Sequence, residues 1–208
     1  LASLRKSADD FESRELFGGA PADMTRLEIL RGRGRLVFAR KQGAWWLVEP
    51  MSDLADAAEV DRLEASLLGL RARDFIHGGQ DLAAIGLSPA LFRVSITGAK
   101  GAVSAVDFGA TRSDGNTIYA RRDGQVLTVE RDISEELSKE AEAFRGRALL
   151  GFHRGEAAGI DAAFGKTRIL LEFNGGGWSS GGRPVLAAAA DDALGALLDL
   201  KCREFVDE

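Results

Sequence analysis

The residue types that usually carry chemistry are sparse in this chain, and their spacing argues against catalysis. His77 and His153 stand 76 residues apart (153 − 77), each in a connector, whereas a metal centre needs several converging His, Cys or carboxylate ligands. Cys202 is flanked by Lys201 and Arg203, cations that lower a thiol pKa, but it occupies the place that Ala72 takes in an earlier, similar segment, so a small packed residue is the better reading. Ser179-Ser180-Gly181-Gly182 is not a Gly-x-Ser-x-Gly nucleophile elbow. Asp114-Gly115-Asn116 lacks the repeated acidic ligands and terminal Glu of a calcium loop. Gly32-x-Gly34 and Gly175-Gly176-Gly177 follow the wrong elements for phosphate or dinucleotide binding and read as turns. No catalytic residues, no metal and no cofactor are expected. What remains is contact chemistry. Arg31, Arg33, Arg35, Arg40 and Lys41 crowd one hairpin, which is either a solvated face or a surface for an acidic partner or anionic headgroups. Trp45 and Trp46 must put one indole on each face of a strand. Arg31, Arg33, Arg35, Trp45 and Trp46 are therefore the candidate partner-contact residues.

The elements that position them repeat. Leu67-Leu68-Gly69-Leu70-Arg71-Ala72-Arg73-Asp74-Phe75-Ile76 reappears as Leu197-Leu198-Asp199-Leu200-Lys201-Cys202-Arg203-Glu204-Phe205-Val206, at an offset of 130 (197 − 67) and without a gap. A repeat of this length implies two copies of one supersecondary unit. In the first copy, residues 24–77, alternating Leu27 and Ile29, then Leu36 to Arg40, then Trp45 to Val48 predict three strands; Pro50 ends the third. Asp56 three residues before Glu59 predicts a helix start, and Val60, Leu63, Leu67 and Leu70 form its apolar stripe. In the second copy, residues 157–208, Ile169 to Phe173 is a strand, Trp178 aligns with Trp45 at an offset of 133 (178 − 45), and Ala190, Ala193, Leu197 and Leu200 repeat the stripe. The second copy is thus three residues shorter between its Trp and its helix. Residues 78–156 between them predict an antiparallel meander, with Asp123-Gly124 as a hairpin turn, closed by a helix with the stripe Ile133, Leu137, Ala141 and Phe144. Residues 1–23 read as a lead-in or tether. The expected fold class is α+β: two duplicated β-β-β-α units flanking an antiparallel β-meander with a helix.

Composition narrows the partners. With 208 residues, 45% apolar and 28% charged, the chain is an ordinary globular sequence. A net charge of −5 gives no bulk electrostatic case for nucleic acid. One cysteine leaves no intramolecular disulfide. No apolar run reaches the roughly 18 residues that cross a bilayer. The chain starts at Leu1 rather than Met, which raises the expectation of a signal or anchor lying before it.

The order of several dispersed motifs then resembles a known family. The motifs are a Trp-containing strand ending in Pro50, Ala55-Asp56 before a helix, Arg73-Asp74-Phe75-Ile76, Asp81-Leu82 with Ile85-Gly86-Leu87-Ser88-Pro89, Phe108-Gly109, Tyr119-Ala120-Arg121, and Arg147-Ala148-Leu149-Leu150-Gly151-Phe152. Over about residues 24–208 the chain resembles the bacterial domain of unknown function 4340. It departs from that pattern at Ile85, where an aromatic is expected, and at Ser179-Ser180, where an apolar pair is expected; the second departure predicts a weaker or more exposed strand. The resemblance implies an extracytoplasmic protein, tethered to the membrane through an anchor outside this chain, that serves as a non-catalytic accessory or interaction domain of an ABC-type transport system and has transporter components as partners. It supplies no catalytic residues. The alternative reading is a small-molecule or glycan-binding module using a cleft between the duplicated units.

Overall fold

The computed structural model describes residues 12–17, 24–32, 34–148, 150 and 154–205. It divides into two compact units, Leu1–Gly146 and Arg147–Glu208. Among the described residues there are thirteen strands in two antiparallel sheets, and three α-helices. Among the described residues no helix is long and apolar enough to cross a membrane.

The first unit is built on one nine-stranded sheet. Its strands are β1 (Met24–Arg31), β2 (Gly34–Lys41), β3 (Ala44–Glu49), β4 (Asp53–Leu54), β5 (Phe75–Ile76), β6 (Phe92–Gly98), β7 (Val103–Thr111), β8 (Thr117–Arg122) and β9 (Gln125–Glu130), in the order β4-β3-β2-β1-β6-β7-β8-β9-β5. The segment predicted as a repeat unit and the segment predicted as a meander therefore share one sheet, joined where β1 pairs with β6 (Leu27 opposite Ile96, Ile29 opposite Val94). Period-2 alternation sends Leu27, Ile29, Leu36, Phe38, Trp45, Leu47, Val94, Ile96, Val106 and Phe108 to one face, where all are buried.

Helices cover that face. α1 (Ala57–Leu68) is capped by Asp56, whose carboxylate accepts from the N–H of Ala58 and Glu59, and it buries Val60, Leu63 and Leu67. The predicted single helix after β9 is two pieces. α2 (Asp132–Ser138) stops at Lys139, which is extended, and a 3₁₀ turn follows at Ala141–Phe144. All four stripe residues are still buried, and Phe144 meets Phe38 edge-on at 5.0 Å. Part of the segment read from sequence as a lead-in joins the core: Leu16 and Phe17 are buried, Leu16 N–H donates to Leu70 O, and Ala72 N–H donates to Arg14 O.

The second unit has a four-stranded sheet, β10 (Gly159–Phe164), β11 (Thr167–Phe173), β12 (Trp178–Ser180) and β13 (Arg183–Pro184), in that order, followed by α3 (Ala187–Leu198). Its registers match those of β1–β4 when residues are counted 133 or 130 positions on. Leu27 faces Phe38 as Ile160 faces Leu171, Arg40 faces Trp45 as Phe173 faces Trp178, and Leu47 faces Asp53 as Ser180 faces Arg183. The three missing residues fall in the β12–β13 turn, where Gly181 and Gly182 alone connect the last pair. β12 is three residues long against six for β3, as the polar Ser179-Ser180 predicted. The fourth strand of each set, two residues long, was not anticipated from sequence.

Candidate functional site

The structure does not gather the five sequence-predicted contact residues on one surface. Arg31 turns toward the end of α2, where its guanidinium donates to Ser138 O at 3.0 Å, Lys139 O at 2.7 Å and Glu140 at 2.6 Å. Arg33 lies outside the described residues. Arg35 makes a two-pronged bond to Glu28 at 3.1 and 2.9 Å, with Glu49 at 3.2 Å, and the Glu28 bond raises its guanidinium above the usual range. Trp45 is buried in the core with the Arg40 guanidinium 4.6 Å above its ring. Burial takes Trp45 out of any contact surface. Trp46 lies on the opposite face, half-buried, beneath the Lys41 ammonium at 5.2 Å. His77 makes its own contacts, His153 lies outside the described residues, and Cys202 is half-buried with its N–H donated to Arg147 O. Among the described residues no group of three His, Cys, Asp or Glu side chains is placed to hold a metal ion.

Two other features stand out, neither of them foreseen. The first is a polar row on the face of the nine-stranded sheet away from the helices. Arg93 on β6, Asp107 on β7 and Arg121 on β8 are direct cross-strand neighbours. The Asp107 carboxylate is buried and accepts from Arg93 at 3.1 Å and from Arg121 at 2.8 and 3.3 Å. Clefts of about 290 and 380 Å³ open beside these three side chains. One wall of the smaller cleft is the loop Leu87–Ala90. That loop is stitched to β7, since Ala110 N–H donates to Ile85 O and Leu91 N–H to Phe108 O. Three of the dispersed motifs, at 81–89, 108–109 and 119–121, therefore converge on this one place.

The second is the apolar flank of the second unit. Ile160, Ile169, Ala193, Ala196, Leu197 and Leu200 line a groove of about 280 Å³ that is almost wholly carbon. Ile169 is 42% exposed and Leu200 46%. Their first-unit counterparts Leu36 and Leu70 are buried, in a core that also contains Ile133, Leu137 and Phe144 from α2 and the turn after it. The edges differ as well: β1 is paired on both sides, with β2 and β6, whereas among the described residues β10 pairs only with β11. The outward side of β10 carries Asp161, held in a two-pronged bond by Arg168 of β11 at 2.8 and 2.5 Å, which keeps the carboxyl below its usual range. Glu28 and Arg35 make the same bond in the first unit, at the same seven-residue separation.

The family model described as "Domain of unknown function (DUF4340)" aligns with residues 45–208, from the start of β3 through the second unit. No curated protein matches, and no solved structure matches. The span covered is most of the chain, and the chain belongs to the family described as a domain of unknown function, DUF4340.

Proposed function

We propose that this chain works as an interaction domain rather than as an enzyme, on the extracytoplasmic side of a membrane, as an accessory to an ABC-type transport system. The single observation that carries the interaction role is the flank of the second unit, where a strand edge unpaired among the described residues adjoins an apolar groove. An extended segment that adds to β10 gains main-chain hydrogen bonds from the edge and places alternate side chains in the groove, which is the β-augmentation mode of recognition. The transport setting and the membrane tether come from the resemblance of the motif order.

The reading includes a duplication of the β-β-β-β-α unit. Supporting it are the matched registers, the two twelve-residue helices at an offset of 130 (187 − 57), and the paired Glu28–Arg35 and Asp161–Arg168 bonds. A further parallel is that Arg71 bridges to Glu15 as Lys201 bridges to Ala148. On this view the second unit holds the same surface that β6 and α2 close in the first, left for a partner.

The test is photo-crosslinking in the native cells, with a photoreactive residue in place of Ile169. The expected product is an adduct with a transport-system subunit, identified by mass spectrometry and lost when Leu200→Asp polarises the groove. An adduct formed only within the same polypeptide, or none at all, would overturn the partner role.

A further inference from the structure

We infer that the Arg93–Asp107–Arg121 row is a binding site for a small oxyanion, a carboxylate or a phosphate, seated in the smaller of its two clefts. The inference is independent of the strand-edge reading, because it concerns the other unit.

The charge count comes first. A buried carboxylate is costly unless it is paired, and Asp107 is paired twice. One negative charge between two guanidinium groups leaves the row with a surplus positive charge. A guanidinium carries five N–H donors. Arg93 commits one of them to Asp107 and Arg121 two; among the described residues neither arginine has another partner. Their remaining donors are available to the clefts. The Arg93 side chain is 52% exposed and that of Arg121 29%, so both reach solvent while Asp107, at 9%, is withdrawn behind them. Asp107 thus aims two forks from the floor of the cleft, its own charge recessed and paired between them.

Rigidity comes second. The three side chains stand on adjacent central strands in register, and the loop that walls the cleft is bonded to β7 at two points. Gly109 lets that loop close: a Cβ there would lie 2.4 Å from Ile85 O. Donors fixed in this way lose little entropy on binding, and a planar fork matches the paired oxygens of a carboxylate or phosphate.

The choice between clefts follows from charge. Asp123, 93% exposed in its side chain, lines the larger one and repels an anion there. The smaller one is lined instead by Leu30, Arg31, Leu87, Ser88 and Pro89 beside the row. At about 290 Å³ it sits at the low end of small-molecule sites, which fits a ligand of few atoms.

The experiment is an NMR titration of the whole chain with two probes in turn, inorganic phosphate and succinate, in a buffer free of other oxyanions. Saturable shifts confined to the amides of Ser88 to Arg93, Asp107 and Arg121 are expected with at least one probe. Phosphate alone assigns a phosphate ligand and succinate alone a carboxylate. Arg93→Gln is expected to weaken binding about tenfold or more, while Arg62→Gln on α1 leaves it unchanged. Thermal melts show whether Arg93→Gln is folded; if it is not, Arg93→Lys, which keeps the charge and removes the fork, is expected to weaken binding several-fold. No saturation by either probe up to roughly 10 mM, or equal affinity in the folded Arg93 variant, would overturn the assignment.

Discussion

Individual residues decide how the upper part of the sheet is closed. Gly109 has no side chain because the Ile85 carbonyl occupies that space. Gly109→Ala is expected to destabilise the protein by about 1–3 kcal/mol, the usual cost of forcing a methyl group into a packed site. Gly155→Ala, where a Cβ meets nothing within 4 Å, is the control and is expected to stay within about 0.5 kcal/mol of the parent; denaturant midpoints measure both. Protonation acts at the same scale. The Thr117 hydroxyl and the N–H groups of Thr117 and Asn116 hydrogen-bond Asp114 and hold its carboxyl below the usual range. A depressed folded pKa contributes stability that is complete above the unfolded value and disappears as pH falls through the folded one. Glu64 has the opposite sign: burial raises its pKa against the pull of Arg40, so protonation favours its folded form. Asp114→Asn is therefore expected to flatten the loss of stability below about pH 4, and Glu64→Gln to remove a gain in stability that sets in as pH falls toward the ordinary glutamate range, above about pH 4, in denaturant midpoints followed against pH. The Arg93–Asp107–Arg121 row was illegible in the sequence for a physical reason. The three residues lie fourteen apart, twice over, and become neighbours only through the registers of β6, β7 and β8. Arg, Asp and Arg at equal spacing on the outward positions of three successive strands was the signal available.

At the scale of elements, the two long helices differ in how they begin. α1 has the Asp56 cap; α3 begins after Leu186, 81% exposed and with no side-chain cap. Leu186 stands where Asp56 does, 130 residues on (186 − 56). Leu186→Asp is expected to stabilise α3 by about 1 kcal/mol and Asp56→Ala to destabilise α1 by a similar amount, read from thermal unfolding followed by circular dichroism. Strands with long alternation and the Asp123-Gly124 hairpin were legible in the sequence. Two-residue strands were not, because β4, β5 and β13 are too short to show a period. The break after Ser138 was hidden for a different reason. The apolar spacing continues across it, while the cause is tertiary: Arg31 takes the Ser138 and Lys139 carbonyls, and Lys139 reaches Glu59 at 3.3 Å and Glu136 at 2.8 Å. The extended residue lets Phe144 turn onto Phe38, where its carbonyl also accepts the Asp56 N–H.

For the whole molecule, the two units have unequal cores. The first buries a cluster running from Leu16 to Phe144; among the described residues the second buries only Ile160, Leu171, Trp178, Ala190 and Leu194. Few buried apolar contacts mean low local stability. Amides of β10–β13 and α3 are expected to exchange hydrogen well before those of β6–β9, and Phe144→Ala, at a cost of about 3–5 kcal/mol, is expected to narrow that gap; hydrogen exchange read by mass spectrometry checks both. The outer edge of β10, unpaired among the described residues, has one more consequence, for the colloidal behaviour of the protein. A bare edge beside exposed carbon is a template for stacking like chains into fibrils. The Asp161–Arg168 pair puts a charge on the outward side of that strand, where a flat neighbour would have to bury it. Removing it with Asp161→Val is expected to shorten the lag before thioflavin-positive aggregates form. The same small carboxylate is thus expected to serve as a gatekeeper against insolubility.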